Sequence, residues 1–141
     1  MSGGIWRSKY DGLVTRDAST FDIDHMVPLN EAWQSGAWSW SAATRKAYAN
    51  DLGYKASLIA VSAHSNRSKG DREPQDWMPE KSAYACTYSK QWVAVKWRWH
   101  LKVSAAERRF LAAGTPTLTA TGSSANPEHP RSRRRGAADR R

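Results

Sequence analysis

Phe21-Asp22-Ile23-Asp24-His25-Met26-Val27-Pro28 is the stretch on which the reading of this 141-residue chain turns. Phe21 and Ile23 alternate with Asp22 and Asp24, the two-residue period of a short strand over Phe21 to Met26, and Pro28 ends it. His25 therefore stands at a strand end entering a turn, with a carboxylate directly before it. Downstream, Leu58-Ile59-Ala60-Val61-Ser62 is a compact, partly β-branched run that reads as a second strand. Ala63 to Lys69 follows at once as one or two helical turns stopped by Gly70, within which lies Asn66-Arg67-Ser68-Lys69-Gly70-Asp71.

Outward from these two segments the chain reads as α+β. Residues 1 to 20, with Gly3-Gly4, Asp11-Gly12 and scattered Ser and Thr, read as irregular. Leu29 to Trp40 is a Trp-rich connector with room for a short helical turn. Ser41 caps a helix running to about Leu52, with Gly53 as its stop. The clearest helix spans Ala83 to His100, where Tyr84, Tyr88, Trp92, Val95 and Trp99 fall on one face and predict core packing. Ser104-Ala105-Ala106-Glu107 is a capping box that opens a last helix ending at Gly114. Beyond it, residues 114 to 141 are Thr, Ser, Gly, Pro, Ala and Arg with almost no large apolar side chains, which predicts a disordered tail after a domain over residues 1 to 113.

The formal charge of +9 and pI near 10.1 call for a polyanionic partner. Six Arg against Glu128 and Asp139 give the tail four of those nine charges, so attraction to phosphate is shared between body and tail. One cysteine, Cys86, excludes an internal disulfide and any Cys-rich zinc site; it reads as a half-buried helical thiol in a reducing compartment, or as the remnant of a lost disulfide. The first twenty residues lack the apolar stretch of a secretory signal, and no run approaches a membrane span. As written, the chain is expected to be cytoplasmic and to have no membrane partner.

The two motifs suit hydrolysis of a phosphodiester. An imidazole has an unperturbed pKa of about 6.5, close enough to neutral for His25 to fit a general base for the attacking water. Asp24 offers a hard oxygen ligand and Asn66 a second through its side-chain carbonyl, which is adequate for magnesium, an ion that keeps several waters. Successive strand residues point to opposite faces, so Asp24 and His25 serve one phosphate only if the chain turns between them or the metal lies to one side. Asp22 shares the face of Asp24 and reads either as an outer partner of the site or as a solvated edge carboxylate. Arg67 and Lys69 are candidate phosphate contacts, and His64 reads as a phosphate contact or a plain surface histidine.

The DxDHxVP element followed by NRSKGD resembles the HNH, or His-Me finger, endonucleases. Over residues 6 to 113 the chain is similar to small actinobacterial HNH nuclease proteins related to the C-terminal domain of GmrSD-type restriction enzymes. Shared features are Tyr10-Asp11-Gly12, the DIDHMVPLNEAW run, Ala49-Asn50-Asp51-Leu52, LIAVS before NRSKGD, Trp77 with Pro79, and Cys86-Thr87-Tyr88 before Trp92. The resemblance implies a ββα-metal (His-Me) finger with helices packed around it. It also implies His25 as general base, Asp24 and Asn66 as ligands of a divalent cation (Mg²⁺, Mn²⁺ or another), and Asp22 and Lys69 as supporting residues. By spacing, Ser57 stands where many members have an Asn that braces the loop behind the base, with Asn50 elsewhere in the connector; the sequence leaves open whether either supports His25. Secreted relatives have a signal peptide and further cysteines near both ends, so a truncated N-terminus would leave secretion open as the alternative to the cytoplasm. The expected activity is metal-dependent endonucleolytic cleavage of nucleic acid, with DNA favoured as substrate. The alternative is a basic nucleic-acid-binding protein on a degenerate HNH scaffold, and a weaker third reading gives the Arg tail to anionic membranes.

Overall fold

The computed structural model describes residues 4–114. Trp6–Arg7 (β1) and Val14–Thr15 (β2) pair antiparallel, and a 3-10 turn at Ala18–Thr20 is capped by Asp17, so the segment expected to be irregular has short regular pieces. Phe21–His25 (β3) pairs antiparallel with Leu58–Ser62 (β4), from Phe21 opposite Ser62 to His25 opposite Leu58. Between them lie Leu29–Gln34 (α1), a 3-10 turn at Ala37–Ser39, and Ala42–Ala49 (α2). Ala63–Lys69 (α3) leaves β4 without a break, and Ser82–Arg98 (α4) and Ala105–Ala112 (α5) follow. The architecture is mixed α+β, with two two-stranded sheets and five α-helices among the described residues. No helix among them is long and apolar enough to cross a membrane. The Arg-rich tail expected to be disordered lies, beyond Gly114, outside the described residues.

Local chemistry sets the ends of these elements. Ser41 accepts a hydrogen bond from the Thr44 amide and opens α2 as expected, but the helix stops at Ala49, short of Leu52. The reason is Asp51, whose carboxylate accepts from Ser57, from Arg98 at 2.9 and 3.1 Å and from the Trp99 indole, drawing the chain out of the helix. The Ser104/Glu107 capping box is present at the start of α5. On α4, Tyr84, Tyr88, Trp92 and Val95 are buried as one stripe, with Trp99 half-buried at its end. Cys86 is exposed, not half-buried. At 100° per residue it stands about 200° round the helix from Tyr84, on the outer face.

Strand β3 keeps its alternation with the acidic side inward. Asp24 is buried while Ile23 is 61% exposed. Asp22 and Asp24 share a face with their partners Val61 and Ile59, both buried, and α3 packs on β3. The buried Asp24 and part-buried Asp22 carboxylates require compensating donors, and those donors make the site described below.

A second buried charge ties α4 to α1 and α5. The Lys96 ammonium meets Glu31 at 2.9 Å, Glu107 at 2.8 Å, Ser35 at 3.1 Å and the Lys102 carbonyl at 3.0 Å. Carboxylate oxygens of Glu31, Glu73 and Glu107 all lie within 4.8 Å of one another, and this lysine pairs with two of them, Glu31 and Glu107. Lys96→Ala would leave buried carboxylates unpaired, so the unfolding free energy is expected to fall by about 3–5 kcal/mol, read as a lower urea midpoint.

Candidate functional site

Four side chains from two elements make a rectangle. Asn66 and Lys69, three apart on α3, share one helical face, and Asp22 and Asp24, two apart on β3, share one strand face. Asn66 Nδ2 donates to Asp22 Oδ2 at 3.0 Å, and Lys69 Nζ donates to Asp24 Oδ2 at 2.6 Å. Lys69 also donates to the carbonyls of His25 and Met26, both at 2.9 Å, and Tyr10 Oη donates to Asp24 Oδ2 at 2.6 Å. Both contacts to Asp24 fall on Oδ2, and the Asn66 contact uses its amide nitrogen. Asp24 Oδ1 and Asn66 Oδ1 are therefore left as hard oxygen donors without hydrogen bonds among the described residues, atoms of the kind that magnesium and manganese take.

His25 leaves the strand on the other face, beside Leu58. Its Nε2 lies 3.0 Å from the Ala49 carbonyl oxygen at the end of α2. A carbonyl brings no proton, so the imidazole supplies it: Nε2 is the N–H and, in the neutral ring, Nδ1 keeps the lone pair. The ring also stacks on Tyr48, centroids 6.3 Å apart at 23°. Neither side chain weighed as a brace touches His25: Asn50 donates to the Lys46 carbonyl and Ser57 to Asp51. Ser57 acts through its backbone, its carbonyl accepting from the Met26 amide at 2.9 Å.

Tyr10-Asp11-Gly12, to which the sequence attaches no role, has one in the structure. Tyr10 holds Asp24 from behind, its ring packed edge-on against Tyr88 and Trp77. Burial raises the Tyr10 pKa, with the Asp24 charge adding to it, so the phenol stays a proton donor. Asp11 accepts from Ser62 and Ser65, the N-cap and first turn of α3, and from the Leu13 amide. Gly12 makes the turn at φ +80°, where a side chain would be strained. No spacing rule links position 10 to position 24; only the chemistry of a buried carboxylate seeking donors could have hinted at it.

The remaining expected residues divide. Arg67 is exposed, its Nε 3.6 Å from Asp22 Oδ2, and free to meet a phosphate. His64 is exposed on another side of α3, 3.9 Å from Glu80, and is not part of the rectangle. Asp22 is not a solvated edge carboxylate, since Asn66 donates to it and its side chain is 29% exposed. Lys69 as a phosphate contact is corrected: the side chain is 0% exposed and its ammonium is taken up by Asp24 and two carbonyls. Burial lowers its pKa and the adjacent Asp24 opposes that.

If Lys69 holds Asp24, Lys69→Ala strands a buried carboxylate and costs about 3–5 kcal/mol of stability in urea unfolding; a lysine serving only phosphate would lose binding with stability unchanged. Asp11 gives a pH test. Burial pushes its carboxyl up, but the hydrogen bonds from Ser62, the Leu13 amide and Ser65 outweigh this and bring it down to about 2 from an ordinary 3.8. With the folded value depressed, its contribution is present above about pH 4 and is lost as pH falls through about 2. Melting temperatures taken from about pH 5 to pH 2 should fall less steeply in Asp11→Asn than in the wild type.

Comparison with known proteins agrees with the shared motifs. The chain is 46% identical over 112 residues to a protein of Arthroderma benhamiae described as an uncharacterized secreted protein; the match covers 79% of this chain and 54% of that one. The chain thus spans about half the length of this relative. No solved structure matches. Residues 5–113 match the model of the C-terminal domain of GmrSD restriction endonucleases. With the match running from just before β1 to the end of α5 and taking in the whole rectangle, the chain belongs to the GmrSD restriction endonuclease C-terminal domain family.

Proposed function

We propose that the chain is a divalent-metal-dependent endonuclease of the HNH type, built on a ββα-metal finger made of β3, β4 and α3. The observation that carries this reading is the His25 geometry: a histidine at a strand end, its Nε2 proton held by the Ala49 carbonyl, with Nδ1 left as a base. Family membership supports it, because the family takes its name from restriction endonucleases.

In this reading Asp24 and Asn66 would hold the cation, Mg²⁺ or Mn²⁺, through side-chain oxygens. When bound, the cation supplies positive charge to the phosphoryl oxygens and the leaving group. Lys69 and Tyr10 fix the Asp24 carboxylate by its other oxygen, and Asp22 fixes the Asn66 amide so that its oxygen faces away. His25 Nδ1 takes the proton of the attacking water. Asp24 and His25 are consecutive, about 3.8 Å apart at Cα, so a phosphate at the end of β3 is within reach of both despite their opposite faces. Arg67 and other basic side chains hold the backbone, contacts that position without reading sequence. DNA is the favoured substrate, and binding is expected to weaken steeply with salt. The description of the fungal relative as secreted favours action outside the cell over the cytoplasmic setting expected from the sequence.

One observation favours the runner-up, a nucleic-acid-binding protein without catalysis: Asp24 is 4% exposed and already neutralised by Lys69. Supercoiled plasmid in low salt separates the two. The nuclease nicks it with magnesium, and loses nicking by at least about 100-fold in His25→Ala, in line with removal of a general base, and entirely in EDTA. A salt-sensitive gel shift with no nicking in magnesium or manganese would leave the binding reading.

A further inference from the structure

Next to His25 lies a concavity of about 340 Å³ between α1, the 3-10 turn and α2 that the proposed chemistry does not use. It joins the site through two residues: Ala49, whose carbonyl holds the His25 ring, and Tyr48, which stacks on that ring, both line it. Its other walls include Trp33 and Trp40. Trp40 is fixed, edge-on to Tyr48 at 5.6 Å and tilted on Trp99 at 5.7 Å. Trp33 is 48% exposed, although an indole of that size is ordinarily well covered.

Two cations flank these aromatic walls. The Arg45 guanidinium lies 5.5 Å from the centre of the Trp33 ring and is held there by a 2.6 Å hydrogen bond from Nη1 to the Trp40 carbonyl. Lys46, the next residue, is exposed at the same rim, and among the described residues no acidic side chain lines the pocket. An apolar pocket with aromatic walls and positive charge at its rim matches a planar heteroaromatic group attached to phosphate. It does not match an aliphatic side chain, which would leave the cations without a counterpart.

We propose that this pocket receives one unpaired nucleobase of the substrate strand, stacked on Trp33 and flanked by Arg45 and Lys46, beside the phosphate presented to His25. The inference rests on the nuclease reading and deepens it. A base in the slot is out of its duplex, so substrates that are single-stranded, nicked or locally frayed at the cut are preferred. Stacking on apolar walls accepts any base.

The test uses the full chain in EDTA, where no cleavage intervenes, and fluorescence anisotropy with two labelled oligomers of equal length and charge: oligothymidylate and its all-abasic counterpart. Trp33→Ala is expected to weaken oligothymidylate binding about tenfold, equivalent to about 1.4 kcal/mol, and to leave the abasic oligomer unchanged. Trp33→Phe should restore most of the difference, and Trp33→Leu, which keeps apolar cover without a π face, should not. Equal losses on both oligomers, or no loss on either in a variant with wild-type melting, would overturn the proposal. Plasmid nicking by the wild type together with that outcome would leave the nuclease reading standing without the pocket. Base-dependent loss in Trp33→Ala without nicking by the wild type would keep the pocket and remove the nuclease.

Discussion

The Lys69 ammonium is the charge on which the rest of the molecule depends. It belongs to α3, neutralises Asp24 on β3, and donates to the carbonyls of His25 and Met26, so one group fixes strand, turn and helix relative to one another. It also lies within 6 Å of three ring centres, Tyr10, Tyr88 and Trp92, which brings in the N-terminal segment and the buried face of α4. A cation with this many engaged partners cannot be removed from the fold without leaving a buried anion behind. That requirement links the packing of the aromatic stripe to the setting of the Asp24 carboxylate.

The same device recurs with the signs exchanged. Asp51 gathers Ser57, Arg98 and Trp99, and through Ser57 it reaches the amide of Met26 just past His25. The Arg98 hydrogen bonds come first among the causes that keep Asp51 ionised. Asp11 gathers the start of α3. Irregular backbone around the hairpin is thus held by single carboxylates with several donors each, where a larger domain would use hydrophobic contact.

Periodicity and caps made much of this legible. The two strands, α3 and the aromatic face of α4 follow from local patterns, and Ser104 with Glu107 states its own helix start. What the patterns could not convey is long-range pairing of charge. Alternation along β3 does not say that its acidic side is the inner one, since that depends on Lys69 and Tyr10 being delivered from far along the chain. A lysine beside a turn has the composition of a phosphate contact, and only its burial shows otherwise. Likewise the brace on His25 is a backbone carbonyl, which has no side-chain identity to read, whereas the Asn50 and Ser57 side chains bond elsewhere.

That carbonyl has a consequence for how the imidazole behaves over time. Ala49 oxygen binds the Nε2 proton whether the ring is neutral or cationic, so gain and loss of a proton are confined to Nδ1. With Tyr48 against its face, the ring changes charge without changing orientation. In the proposed reaction the acquired proton would leave from the place where it arrived, and no ring flip would separate one turnover from the next.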